Sequence, residues 1–460
     1  MQFREEHDSM GKVSVPEEVY YGAQTQRAKD NFQISDLRFP NVFYKALGTV
    51  KKHAARVNHE LGLLKEEIAK AIIAASDEMI NGNFNDQFVV DVFQTGSGTS
   101  TNMNANEIIA GRANELIIGK RGGKSPVHPN DHVNMGQSSN DVIPSVIHIA
   151  ALIEIKGNLI PAMQHLKKRL HEKAEEFTGI RKIARTHLQD AIPISLGQVF
   201  SGYARQVEAG IERVNGVKSR LGELALGGTA VGNGVNTHPE FASRVIAGIS
   251  IEIGCDFREA LNHFEAQAAR DSSVETSGVL KTYAVSLIKI ANDIRWLSSG
   301  PRGGLGEIHI PDLQPGSSIM PGKVNPVIPE AVLQAAGQVI GNDLAIIYGG
   351  QAGNFELNVM MPLIAYNLLQ SIQLLAVSSK ELADKCIKDI TANKEQCEFN
   401  LEKSFSLATA FVPEIGYDKA AAIAKEAHQT GRTVREVAKT SKILPADKID
   451  EILDKMIDGK

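Results

Sequence analysis

Apolar residues recur at spacings of three and four over long stretches of this chain, the period of a helix with one buried face. The clearest run follows Ser195. Leu196, Val199, Phe200, Tyr203, Val207, Ile211, Val214, Val217, Leu221 and Leu224 form one stripe over about eight turns. No proline interrupts it, and Gly227-Gly228 offers a stop. A second helix is predicted over roughly 267–299, with Val274, Val279, Leu280, Tyr283, Leu287, Ile290, Ile294 and Leu297 on its stripe and Gly300-Pro301 at its end. A third is predicted over 362–390, carrying Ile364, Leu368, Leu369, Ile372, Leu375 and Leu382. A fourth covers 145–177, bent near Pro161, and a fifth covers about 329–348.

Helices of about 30 residues are roughly three times the usual length and need partners along their whole extent. A bundle of five long helices answers that need. A coiled coil does not, because no strict 3.5-residue repeat with flanking charge pairs persists. The pattern therefore predicts an all-α fold in three domains. A helical N-terminal domain (1–138) has shorter helices and more turns. A long-helix bundle (139–395) follows, then a small charged helical domain (396–460).

Composition narrows the function classes. The chain has 460 residues, 43% apolar and 22% charged, too long for one core and not disordered by composition. Aromatics are scarce at 5%, which favours helix packed on helix over sheet. The formal net charge of −5 without long charge runs gives no footprint for nucleic acid. The polar start is unlike a secretory signal, and no unbroken run of about 18 apolar residues marks a membrane span. Cys255, Cys386 and Cys397 are scattered and odd in number, as expected of reduced thiols in the cytoplasm, and no CxxC pair suggests a thiolate metal site.

Four polar, glycine-rich stretches interrupt the helical text. They are Gln94-Thr-Gly-Ser-Gly-Thr-Ser-Thr-Asn102, His128-Pro-Asn-Asp-His-Val-Asn-Met-Gly-Gln-Ser-Ser-Asn-Asp141, Ala184-Arg-Thr-His-Leu-Gln-Asp190 and Gly316-Ser-Ser-Ile-Met-Pro-Gly-Lys-Val-Asn-Pro326. Each is dense in hydroxyls, amides and backbone N–H groups. A helix N-terminus preceded by Ser, Thr or Asn is an anion site. Singly, each reads as a capped surface turn. Four together, each at a helix boundary, are harder to explain that way.

Familiar motifs fail one by one. The stretch from Gly316 to Lys323 is one residue too long for a phosphate-binding loop, and Val324 stands where that loop needs Ser or Thr. His128 and His132 sit four apart, but Pro129 disfavours a regular helix and no third metal ligand is evident. Gly96-Ser97-Gly98 lacks the full nucleophile-elbow pattern, and Gly232-Asn-Gly234 has no βαβ context for a dinucleotide.

The fourth stretch resembles, almost residue for residue, the signature of the fumarase/aspartase superfamily. The resemblance runs from Gly22-Ala-Gln-Thr-Gln-Arg27 to Ile415-Gly-Tyr-Asp418. It implies a homotetramer with a twenty-helix core, four times five long helices, and active sites each shared by three subunits. It also implies anti elimination from a small succinyl-type dicarboxylate to give fumarate, without metal or cofactor. A base removes a proton beside a carboxylate, and an acid assists the group leaving the next carbon. Such a site must stabilise extra negative charge with preorganised donors.

Carried over by position, Ser317 is the base, on a mobile loop, with Lys323 and loop N–H groups to stabilise its alkoxide. His187 handles the water, oriented by Glu330. Ser97, Gly98, Thr99, Ser138, Ser139, Asn140, Thr186, Ser318, Lys323, Val324 and Asn325 match substrate contacts. His128, Pro129, Asn130 and Asp131 match a second dicarboxylate site. Without the resemblance, His187 reads as a polar residue on a helix, and Ser317 and Ser318 as N-caps.

Within the superfamily, Gly22–Arg27, Thr95-Gly-Ser-Gly-Thr99, Gln137-Ser-Ser-Asn140 and Gly353-Asn-Phe-Glu-Leu-Asn358 are similar to class II fumarases. His132, Met135 and Val327-Ile-Pro-Glu330 are similar to aspartases. Hydration of fumarate is the first expectation and release of ammonia from L-aspartate the alternative. A structural role, like that of the lens crystallins recruited from this superfamily, is a third.

Overall fold

The computed structural model describes residues 2–458. Its backbone contacts gather it into two compact units. One comprises Met1–Pro161, Ile211–Ala284 and Ala336–Ala376, and the other Ala162–Gly210, Val285–Ala335 and Val377–Lys460. The boundaries fall inside or beside the long helices.

In chain order, the first unit opens with a hairpin, β1 (Phe3–Asp8) and β2 (Gly11–Pro16), then α1 (Ala23–Asn31), α2 (Asn41–Glu60), α3 (Glu66–Ile80), α4 (Thr99–Ile118) and α5 (Ser139–Glu154). After a π turn at Ile155–Leu159 come α6 (Ile160–Glu176), the hairpin β3 (Arg181–Thr186) and β4 (Gln189–Ser195), α7 (Leu196–Gly216) and α8 (Lys218–Leu221). Next are β5 (Glu223–Leu224), α9 (Phe241–Ile253), β6 (Arg258–Glu259), α10 (His263–Ala268), α11 (Asp271–Leu297), β7 (Ile308–His309) and α12 (Val327–Gly350). The chain closes with β8 (Gly353–Asn354), β9 (Leu357–Asn358), α13 (Met361–Lys385), β10 (Thr391–Ala392), α14 (Lys394–Glu402), α15 (Val412–Ile415), α16 (Tyr417–Thr430), α17 (Val434–Ser441) and α18 (Ala446–Asp458). Every sheet among the described residues has two strands, so the all-helical expectation holds.

The five long helical stretches are present, with shifted ends. The fourth begins at Ser139 and passes through its π turn just before Pro161, whose missing N–H cannot complete a regular ladder. The helix after Ser195 stops at Gly216, resumes for one turn and ends at Leu221, short of Gly227. There the chain departs to pair β5 with β6, and the Gly222 carbonyl accepts the Arg258 N–H at 2.8 Å. The second helix starts at Asp271, because Ala269 is extended and separates it from α10. The third ends at Lys385, before a short 3-10 turn. Two helical stretches, Ser139–Glu176 and Met361–Asp389, are long and apolar enough on average to cross a membrane, although no unbroken apolar run exists. In each, most of the apolar 18-residue window is buried, 72% and 61%.

In the first unit, α2 packs on α3, α5 and α9 through Phe43, Leu47, Val50, Ala54 and Val57. The N-terminus of α1 has no cap of its own. The buried Glu107 of α4 supplies one, accepting the N–H groups of Gly22, Gln24 and Thr25 at 2.9–3.0 Å. In the second unit, α16, α17 and α18 close a core around Leu401, Phe411, Ile423, Val437 and Leu453. A Thr433–Glu436 capping box starts α17.

Phe411 is fully buried in that core. Phe411→Ala removes about 3–5 kcal/mol of packing. The melting temperature falls, and limited proteolysis cuts first within residues 394–458 while the rest of the chain survives.

Candidate active site

The sequence-selected residues fall into two sets, one in each unit. The first surrounds the N-terminus of α5. Ser138 caps this helix in a capping box, its Oγ accepting the Asn140 N–H at 3.2 Å while its own N–H goes to Asp141 at 2.9 Å. The helix therefore presents its positive end and the hydroxyls of Ser138 and Ser139 to an anion. Gly98, at φ +72°, turns the chain into α4, whose first residue is Thr99. Thr99 Oγ1 lies 2.6 Å from both Ser97 Oγ and Ser139 Oγ. One linked row of hydroxyls results from two helix starts.

Thr99, Ser138 and Ser139 line a cavity of about 400 Å³ together with Gln24, Asn102, Asn130, Asn134, Gln137 and the loop carrying Thr229 and Asn236. The fully buried Asp141 holds this wall. Its second carboxylate oxygen accepts the Gly227 N–H at 3.0 Å and the Thr229 N–H at 2.9 Å, and Asn140 Nδ2 donates to the Ala230 carbonyl at 2.8 Å. Burial pushes the Asp141 carboxyl up to about 6, against the pull of these N–H groups and of Lys51.

The second group belongs to the other unit. The sequence placed His187 at a helix boundary, but it sits at the tip of the β3–β4 hairpin, where Thr186 pairs with Gln189. His187 and Leu188 both adopt left-handed backbone, φ 56° and 59°, which is a type I′ turn built without glycine. The right-handed twist of the strands requires that turn, so His187 projects from a strained tip. The hairpin is tethered by the fully buried Glu307, which meets Arg185 at 2.8 Å and Lys182 at 3.1 Å. Burial works to raise the Glu307 carboxyl, and the two cations more than offset it and hold it low.

Ser317 is not a helix cap. It lies ten residues before α12, and its Oγ accepts the N–H groups of Ile319 at 3.2 Å and Met320 at 2.9 Å. The loop closes on itself: the Gly316 N–H donates to the Lys323 carbonyl at 2.7 Å, and Asn325 Nδ2 donates to the Gly316 carbonyl at 2.8 Å. A Cβ at Gly316 would lie 2.6 Å from the Lys323 oxygen, so only glycine fits. Ser317, Lys323 and Val324 line one cavity of about 460 Å³. Val324 also lines a larger one, about 690 Å³, with Glu330, Arg295, Trp296 and His309. Within one chain no hydrogen bond joins His187 to Glu330, and Ser318 and Thr186 are exposed.

In the remaining stretch, Pro129–Val133 forms a single π turn. His128 Nδ1 caps it, accepting the Asn130 and Asp131 N–H groups at 3.2 Å, and its own N–H goes to His132 Nδ1 at 2.9 Å. Among the described residues no group of three or more His, Cys, Asp or Glu is placed to hold a metal ion. Sequence reasoning missed Gln24, Asn102 and the Thr229–Asn236 wall. The signal for the wall was the glycine run from Gly227 to Gly234, where Gly228 has no room for a Cβ beside Gln267.

Comparisons with known proteins converge. Residues 11–341 match the family described as Lyase, and residues 407–456 match the family described as Fumarase C C-terminus. A Nitrosomonas europaea protein named fumarate hydratase class II is 54% identical, over 98% of both chains. A Mycobacterium tuberculosis protein of the same name is 53% identical over 99% of this chain and 95% of its own length. Among solved structures, a class II fumarase from Schistosoma mansoni superposes with a TM-score of 0.96 at 38% identity, covering 99% of this chain and 98% of its own. A Brucella melitensis fumarate lyase/delta crystallin, bound to cobalt, gives 0.94 at 46% identity, with 99% of each chain covered.

The strained tip makes a direct prediction. Leu188→Val puts a β-branched residue where φ is positive and destabilises the protein by about 1–2 kcal/mol. Leu188→Gly removes the strain and is neutral or stabilising by up to about 1 kcal/mol. Thermal melts of the two variants should therefore move in opposite directions or differ by several degrees.

Proposed function

The chain belongs to the class II fumarate hydratases, a family of lyases, and we propose that it performs the family reaction with the two groups of residues described above. The reaction is the reversible hydration of fumarate to L-malate. The observation that carries the assignment of roles is the Ser317 hydroxyl, which accepts two backbone N–H groups. Those donors stabilise the alkoxide a serine needs to act as a base, and Lys323 on the same closed loop adds a cation. In the dehydration direction, from L-malate to fumarate, the alkoxide takes the proton beside one carboxylate, whose oxygens receive the electron pair. The hydroxyl on the neighbouring carbon then leaves as water, taking a proton from His187. Glu330 orients that imidazole.

Thr99, Ser138, Ser139 and Asn140 hold one carboxylate at the α5 N-terminus, with Ser97 and Gly98 shaping the approach. Thr186, Ser318, Lys323, Val324 and Asn325 serve the other end of the substrate. His128, Pro129, Asn130 and Asp131 form the second dicarboxylate site. Since His128 Nδ1 is committed to its cap, only the Nε2 edge is available to an anion there.

The working enzyme is a homotetramer with each active site shared by three subunits. Support comes from the exposed apolar stripe of α12, where Ile340, Leu344, Ile347 and Tyr348 recur along one face and are 38–69% exposed. A second copy of the same helix bundle would cover it. The absence of a His187–Glu330 bond within one chain fits a pair made between subunits. The three-domain division, 1–138, 139–395 and 396–460, belongs to the same reading, and the separate match over 407–456 supports its last boundary.

Fumarate formed from L-malate, followed by ultraviolet absorbance with chelator present, tests the assignment. Ser317→Ala and His187→Asn each lower kcat by about 10²–10⁴-fold, the usual contribution of a positioned acid or base. Thr99→Ala mainly raises KM. A Ser317→Ala or Thr186→Ala enzyme with full turnover would remove those residues from the site, and fumarate formed from L-aspartate alone would replace the substrate.

A further inference from the structure

The cavity at the α5 N-terminus has an electrostatic deficit. Its lining holds hydroxyls, amides and a few apolar groups, and no Lys, Arg or His. A dicarboxylate brings two negative charges. The helix end offers about half a charge, less than the one carboxylate held at this end carries, while Lys323 serves the other end.

A cation lies one layer behind. Lys51 of α2 is fully buried. An ammonium has three donors and no acceptor, so every neighbour must turn an oxygen toward it. Its Nζ donates to Asn134 Oδ1 at 3.0 Å and to Gln137 Oε1 at 2.9 Å, and both amides line the cavity. Asn134 Oδ1 also accepts from Asn102 at 3.2 Å and Asn106 at 3.1 Å, so one cation orients a network of amides. Among the described residues no carboxylate touches Lys51. Asp141, buried on α5, acts on it only at longer range. A buried lysine without an ion-pair partner is costly, and burial draws its pKa down to about 7 against the pull of Asp141. An incoming dianion supplies the missing countercharge.

We propose that Lys51 is a positioning residue that makes this neutral-lined pocket select dianions, acting through Asn134 and Gln137 without touching the substrate. The inference rests on the reading of the pocket as a dicarboxylate site.

The test uses full-length protein and two non-reacting probes, succinate and its monoamide succinamate, with binding measured by calorimetry at neutral pH. In Lys51→Met the succinate Kd rises roughly tenfold or more, the scale of one unscreened charge at this range. Succinamate binding changes distinctly less. KM for fumarate and L-malate rises with the succinate Kd while kcat stays within a few-fold. The melting temperature does not fall, because a buried charge has been replaced by an apolar chain of similar shape. Lys51→Arg, keeping the charge, recovers part of the succinate affinity. Should Lys51→Met fail to fold, Lys51→Gln carries the same comparison. Wild-type succinate affinity in the neutral variant overturns the proposal, as does an equal loss for both probes, which would mark a purely structural role. Wild-type protein that binds succinate in a Lys51-dependent way but does not turn over fumarate would instead overturn the hydration reading and leave this one standing.

Discussion

The wall of the first unit's cavity depends on one buried carboxylate. Asp141 accepts three backbone N–H groups, from Ser138, Gly227 and Thr229. The first of these closes the capping box that starts α5, and the other two hold the loop that walls the cavity. A helix end alone would give an anion site open on one side. A glycine-rich loop alone would have no fixed shape. The carboxylate joins the two, and its burial, which costs free energy, is offset by donors that have no other partner.

The same device recurs. Glu107 supplies the cap that α1 lacks and so fixes Gln24 at the cavity rim. Glu307 tethers the His187 hairpin through Arg185 and Lys182. In each case a buried acidic side chain takes hold of the backbone or base of a segment that has little apolar packing of its own. The long helices provide rigidity through their stripes, and these charges connect the polar segments to that scaffold.

What the sequence disclosed follows the range of the forces involved. The five long helices were legible because their apolar period repeats over many turns, and the polar stretches because hydroxyl, amide and glycine density is local. Helix ends were less so: α7 ends early because β5 pairs with β6, residues far apart in sequence. The hairpin at His187 escaped notice because its turn uses His187 and Leu188 where Asn-Gly would have announced it. Lys51 carries no signal in the sequence, because only the packing of α2 against its neighbours buries it. The Thr229–Asn236 wall is visible as a glycine run, but its shape comes from Asp141, which binds Gly227 and Thr229 from a distant part of the chain.

The Ser317 loop has a mechanical consequence. Because Gly316 is bonded to Lys323 and Asn325, the segment between Pro315 and Pro326 is a closed ring flanked by two prolines. The donors that stabilise the Ser317 oxygen lie inside that ring, so they travel with it. Any displacement of the ring would therefore move the Ser317 oxygen without separating it from its two N–H donors.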